Sequence, residues 1–275
     1  MRRPIQSTRL FAIAAPVLIL FAGSVAGWAE PPQAAVTAFN AYVATVETRL
    51  ARQHSFLPGF LVNLGSGSRN DARLRRGDVI IEQLTPAKEA ELPGALLHHW
   101  RGTAFVRGAT AADFERLMKN FSDYPQLYSP QVVRAAILSP RSDPVPDHFT
   151  AVMRVRQKHV ITVVLDITYD IRYGRLDAQH GYSISRSTNI SEVADPGTSN
   201  ERPLKAGEEH GFLWRLNTYW SYEERDGGLY IQIESISLTR GIPSGLAWII
   251  KPFVESVPRE SLEFTLRSTC TALQK

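Results

Sequence analysis

The chain has a single cysteine, Cys270, among 275 residues, so no intrachain disulfide can staple it and its stability must come from a packed core. It also lacks the signatures of two common hydrolase scaffolds. There is no His-Glu-x-x-His pair for zinc and no Gly-x-Ser-x-Gly elbow for a nucleophilic serine. The seven histidines are scattered apart from His98 and His99, which on a strand would point to opposite faces, so no metal site is expected. Gly65-Ser66-Gly67 lacks the third glycine and the strand-to-helix setting of a dinucleotide loop, and reads as a flexible turn. The apolar run from Phe11 to Ala22 is interrupted by Pro16 and falls well short of the roughly 20 residues of a membrane-spanning helix.

That run follows Arg2, Arg3 and Arg9 and precedes two small-x-small sites, Ser24-Val25-Ala26 and Gly27-Trp28-Ala29, which is the layout of a secretory signal peptide. Cleavage is expected after Ala29, giving a secreted or periplasmic protein whose mature start carries Pro31 and Pro32. With no cysteine at the junction, a lipoprotein anchor is excluded. Loss of residues 1–29 removes three of the 31 basic residues and leaves 28 against 27 acidic ones. The basic balance of the whole chain therefore comes mostly from the leader, and no nucleic-acid partner is expected.

Beyond the leader, Val36, Phe39, Val43, Val46 and Leu50 recur at three- and four-residue steps, which predicts an amphipathic helix over 35–53 in need of a partner surface. The polar stretch Gly65 to Gly77 has loop composition, and a short strand over 78–84 follows. From residue 95 the pattern turns regular. A strand over 96–106 and a short helix over 110–120, opened by Thr110, precede strands at 132–138, 149–158, 161–173, 182–193, 212–224 and 229–240. Asp226-Gly227-Gly228 marks a hairpin. Between Ile161 and Tyr173 the odd positions are apolar and Thr162, Asp166, Thr168 and Asp170 alternate with them, so one face of that strand is buried. The last tract, 244–273, is helical, with Leu246, Ile249, Phe253 and Val257 on one stripe and Leu262 and Leu266 beyond Pro258, which should break or kink it. An antiparallel meander followed by one amphipathic helix suggests a sheet wrapped around that helix.

Ala112-Asp113-Phe114-Glu115-Arg116-Leu117-Met118, then Phe121-Ser122-Asp123-Tyr124-Pro125 and Tyr128-Ser129-Pro130, resembles a passage of the START-like (SRPBCC) superfamily, which includes polyketide cyclases and coenzyme-Q-binding proteins. Pro243 to Leu246 and Val257 to Leu266 look like that superfamily's closing helix. The resemblance covers about residues 95–273. It implies an α+β helix-grip fold over 95–275, a curved antiparallel sheet wrapped around a long C-terminal helix, with residues 30–94 left over as an N-terminal helical extension. It further implies a cavity between sheet and helix in which members hold lipids, quinones, hormones or polyketides. No catalytic motif is universal in the superfamily, so no catalytic residue is carried over and no cofactor is expected.

Candidate pocket residues follow from the strand faces. Phe212, Trp214, Leu216, Trp220 and Tyr222 share a parity and load one strand with aromatics, as a wide apolar cleft would use and a plain core would too. Tyr169 lies on the buried face of its strand, and Trp248 lies on the closing helix. Arg186 and Glu234 sit on otherwise apolar faces, where an isolated charge is costly, so they are expected to approach one another or a ligand's polar end, or else to stand at the sheet rim in water. The expected partner is a hydrophobic small molecule or lipid, a transient membrane contact is left open, and no protein partner is identified. Two other readings stand beside binding. One is a cyclase- or hydrolase-like enzyme using Glu234 or His210 as acid or base. The other is a docking protein that presents the stripe of its first helix, against which stands the reading that the helix packs on its own domain.

Overall fold

The computed structural model describes residues 30–62, 64, 69–85, 90–140, 147–158, 162–205, 208–241 and 247–274, without the side chains of 139–140 and 247–255. The expected signal peptide and the Pro243 to Leu246 segment lie outside the described residues. Among these residues the helices are α1 (Gln33–Gln53), α2 (Arg69–Arg75), α3 (Ala111–Lys119), α4 (Tyr124–Leu127) and α5 (Ala247–Leu273). The strands are β1 (Ile80–Gln83), β2 (Glu91–Leu92), β3 (Ala95–Arg107), β4 (Val132–Pro140), β5 (His148–Lys158), β6 (Thr162–Arg175), β7 (His180–Ala194), β8 (Arg202–Pro203), β9 (Arg215–Arg225) and β10 (Gly228–Arg240).

Eight strands form one curved antiparallel sheet in the order β1-β3-β10-β9-β7-β6-β5-β4, with β2 and β8 paired at its margins. Consecutive strands β4 to β7 form a meander, and β9 and β10 a hairpin. At the turn between β9 and β10, Asp226 and Gly227 have φ of 57° and 77°. Two positive φ values in a two-residue turn match the right-handed twist of the strands they join.

The two faces of the sheet are covered by different ends of the chain. On the concave face α5 packs against β3, β10 and β1. Leu262 and Leu266 join Ala104, Val106, Ile231 and Phe114 in one core there. α3 is fixed beneath them by a reciprocal cap, in which the Thr110 hydroxyl accepts from the Asp113 amide and the Asp113 carboxylate accepts from the Thr110 amide. The convex face is covered by α1, whose Ala35, Phe39, Val43, Val46 and Leu50 bury themselves against Leu97, Tyr219, Ile236 and Leu238. The helix thus spends its apolar stripe on its own sheet, which removes the surface a docking partner would use.

Two features depart from the sequence expectations. Within the stretch read as a loop, Arg69 to Arg75 form α2, because Leu74 is fully buried with Phe60, Phe105 and Tyr230, and Asp71 accepts from the Tyr230 hydroxyl and from Arg75. Tertiary burial overrode a polar composition. The closing helix runs uninterrupted through Pro258. Proline costs one backbone hydrogen bond there, and the burial of Leu262, Thr269 and Leu266 one to three turns later offsets it.

Gly102 explains how closely helix and sheet approach. A β-carbon there would stand 2.7 Å from Leu262 Cδ2 and 2.9 Å from Leu266 Cδ2. Replacing Gly102 by Val is expected to lower the unfolding free energy by about 1–3 kcal/mol, because the helix must lift from a well-packed contact. Chemical denaturation checks this, and an unchanged midpoint would contradict the contact.

Candidate functional site

Adjacent rungs of the concave face differ sharply in what they carry. Near the α3 end, Gly102, Ile233, Trp220 and Ser183 stand in line, followed by Ala104, Ile231, Tyr222 and Gly181. This part is filled. Trp220 and Tyr222 are buried, with ring centroids 5.4 Å and 4.9 Å from that of Phe114, and the Tyr222 hydroxyl is held by Glu115, which also pairs with Arg175.

One rung further from α3 the side chains of the three central strands become small and polar. Trp100, Ser235, Thr218, Ser185 and Ile171 lie across five strands in register. The next rung continues with His98, Ser237 and Leu216, and it is completed by Ser187 opposite Tyr169. Ser187 Oγ accepts from the Leu216 amide at 2.9 Å. Ser185, Thr218, Ser235 and Ser237 make no side-chain hydrogen bond among the described residues. The flanking wall is aromatic and aliphatic, built from Tyr124, Tyr128, Ile167, Ile171 and, from α5, Phe264. The result is a band of short hydroxyl side chains on the concave face, bordered by bulky apolar groups and hereafter called the trough.

Three larger polar groups face this trough. The Trp100 indole Nε1 is buried without a hydrogen-bond partner. Tyr169 is 3% exposed, and its hydroxyl has no partner among the described residues, while burial raises its pKa well above the ordinary phenol value. His98 Nε2 meets Thr239 Oγ1 at 3.2 Å, and burial lowers the imidazole to about 4, which keeps it neutral at pH 7. A base of that strength is poorly matched to proton abstraction near neutral pH.

Of the residues singled out by sequence, Tyr169 faces the trough, and Trp220 and Tyr222 lie on the same face in the packed core beside it. Trp214, Arg186 and Glu234 do not. Trp214 precedes β9, outside the strand that was read from residue 212, and it packs with α1 on the convex side. Arg186 and Glu234 also occupy the convex face and do not touch each other, since each is joined to α1 instead. Glu47 accepts from Arg186 Nε at 2.6 Å and Nη2 at 2.8 Å, and from the Tyr219 hydroxyl at 2.9 Å. Glu234 takes Arg49 at 2.5 Å, His99 at 2.9 Å and Arg101 at 2.9 Å. Burial alone would push the Glu234 carboxyl up, but the His99 hydrogen bond and the charges of Arg101 and Arg49 outweigh it and hold the pKa at about 2. An open, polar depression of about 500 Å³ borders Arg186, lined also by Thr150, Asp170, Ser187 and Thr188. Trp248 belongs to α5, and its side chain lies outside the described residues. His210 stands half-exposed against Glu192 at 2.8 Å in the segment before β9, so neither proposed acid or base reaches the trough.

His98 and Trp100 escaped the sequence reading, although the alternation His98, Trp100, Gly102, Ala104, Val106 along a recognised strand already puts them on one face. The row of Ser and Thr carried no signal, because short hydroxyl residues on a strand look like a solvated face until a helix is known to lie over them. Among the described residues no group of three or more His, Cys, Asp or Glu is placed to hold a metal ion, and no helix is long and apolar enough to cross a membrane.

A long antiparallel sheet curved around a C-terminal helix, with a helix inserted after its first long strand, is the helix-grip architecture. Solved structures similar to the chain include a STAR-related lipid transfer protein from Xanthomonas axonopodis, at 16% identity and TM-score 0.44 over 71% of this chain and 99% of that one. A START superfamily protein from Mycobacterium smegmatis gives 13% identity and TM-score 0.42 over 64% and 97%, and human STARD10 gives 9% and 0.41 over 75% and 81%. No protein-family model and no curated protein matches the chain. With these scores below 0.5, the fold assignment stands on strand order and helix placement.

Proposed function

We propose that the protein binds a hydrophobic small molecule or lipid in the trough between the concave sheet face and α5, and does so in the cell envelope or outside the cell. The observation that carries this reading is the band of unpartnered polar groups, Trp100 Nε1, the Tyr169 hydroxyl and the Ser235-Thr218-Ser185 row, set within an otherwise apolar face. A buried donor without an acceptor costs about 1–3 kcal/mol, which a ligand oxygen would recover. Affinity would come mainly from apolar burial, at roughly 25 cal/mol per Å² removed from water. The leader-like N-terminus supports an envelope or extracellular site, and N-terminal sequencing of protein recovered from the periplasm should begin at Glu30.

Binding is favoured over catalysis because the trough's described titratable side chains are a neutral, weakly basic His98 and the buried phenols of Tyr124, Tyr128 and Tyr169, each held above the ordinary phenol value by burial. Native mass spectrometry of protein purified without detergent should show a retained apolar molecule that incubation leaves chemically unchanged. Thr218→Trp, which would plug the floor, is expected to abolish retention while leaving the circular dichroism spectrum intact. Chemical conversion of the molecule, or undiminished retention by the plugged variant, would overturn this reading.

A further inference from the structure

The concave face shows which kinds of polar end the trough can accept. Every described side chain across its two polar rungs is uncharged: Trp100, Ser235, Thr218 and Ser185 on one, His98 and Tyr169 among those on the other. The charged groups nearest in the sheet are committed elsewhere. Glu234, Arg101 and Arg186 project to the opposite face and are paired there. At one end Glu115 is engaged by Arg175 and Tyr222. At the other, Glu192 accepts from the backbone amides of His210, Gly211 and Phe212.

We infer, resting on the binding reading above, that the ligand is an uncharged oxygenated apolar molecule, with a hydroxyl or carbonyl group at the Trp100 and Tyr169 side chains, and that carboxylates, phosphates and ammonium groups are refused. An ionised end in this trough would lose its hydration with no counter-charge to meet it among the described residues, whereas a neutral oxygen asks only for a donor or a hydroxyl. Trp100 Nε1 can only donate, so it selects an acceptor oxygen. The Tyr169 and Thr218 hydroxyls can donate or accept, so an alcohol and a ketone both fit.

Three probes with one carbon skeleton separate the possibilities: retinol, retinoic acid and the hydrocarbon anhydroretinol, titrated into the full chain at pH 7.5 and read by quenching of protein fluorescence. Retinol is expected to bind at least tenfold more tightly than retinoic acid. Combined Trp100→Phe and Tyr169→Phe should weaken retinol about tenfold and leave anhydroretinol within twofold. Equal affinity for the acid, or an equal loss for retinol and anhydroretinol in the double variant, would overturn the inference while leaving an apolar pocket in place. Binding of none of the three would overturn the pocket reading and this inference with it.

Discussion

Replacing Glu234 by Ala is expected to lower the unfolding free energy by about 3–5 kcal/mol, the cost of leaving a buried ion without its partner. The residue is 2% exposed and lies against Arg101, itself 5% exposed, so the guanidinium would be left with only the longer 3.9 Å approach of Glu82. Arg49 is different. Its side chain is 38% exposed, so it can turn to water when the carboxylate is gone. The same reasoning predicts that Glu234→Leu combined with Arg101→Leu recovers most of the loss, since apolar residues of similar volume often replace a buried pair at little cost. Urea denaturation of the two variants decides the matter, and a loss below about 1 kcal/mol in the alanine variant would show that the pair is solvated. Ligand retention in the double variant should stay unaltered, because the site lies on the other face.

Mild acid should destabilise the protein before the Glu234 carboxylate is neutralised. His54 lies on the convex side, with Nε2 2.7 Å from Ser221 Oγ and its ring stacked on Tyr182 at 4.2 Å. Burial is the main reason its pKa falls to about 4, with Arg49 adding to the effect and Glu234 opposing it. His98, in the trough, falls to about 4 through burial alone. Above pH 6.5 both imidazoles are neutral in the folded and unfolded chains and contribute no pH dependence. Between pH 6.5 and 4 the unfolded chain takes up protons that the folded chain refuses, so stability falls as pH falls. Below 4 both states are protonated and this contribution levels off. A displacement of two and a half units corresponds to about 3 kcal/mol for each histidine. The Glu234 carboxylate, held at about 2, adds a further loss only as pH falls below its ordinary range. Melting temperature followed from pH 7 to pH 4 should drop steeply, and His54→Gln should flatten about half of the slope. A flat profile over this range would show that water reaches both rings.

Much of the architecture could be read from the sequence because period-two and helical patterns survive without tertiary knowledge. The alternation from Ile161 to Tyr173 became β6 with Ile167, Tyr169 and Ile171 buried, and the stripe from Phe39 to Leu50 became the inner face of α1. The side of the sheet on which a face would lie was not legible. Arg186 does share its face with Tyr182 and Ile184, but period two says nothing about which layer covers that face. Here α1 makes the convex side apolar as well, so both faces look like a core. The irregular register between Thr168 and Tyr169, and the late start of β9 after Trp214, moved residues away from strict parity. The site itself was the least visible part. Its floor consists of serines and threonines, whose meaning depends on a helix that lies after them in the chain.

The placement of α1 also bears on how the protein is made. Its docking surface is supplied by β2, β3, β7, β9 and β10, and the Arg49–Glu234 contact joins positions 185 residues apart. During synthesis the helix emerges long before the strands that will receive it, and its oily stripe must wait in solution or with a chaperone. Closure of the back of the sheet is therefore a late event, and refolding should be slow compared with proteins whose partners are neighbours along the chain.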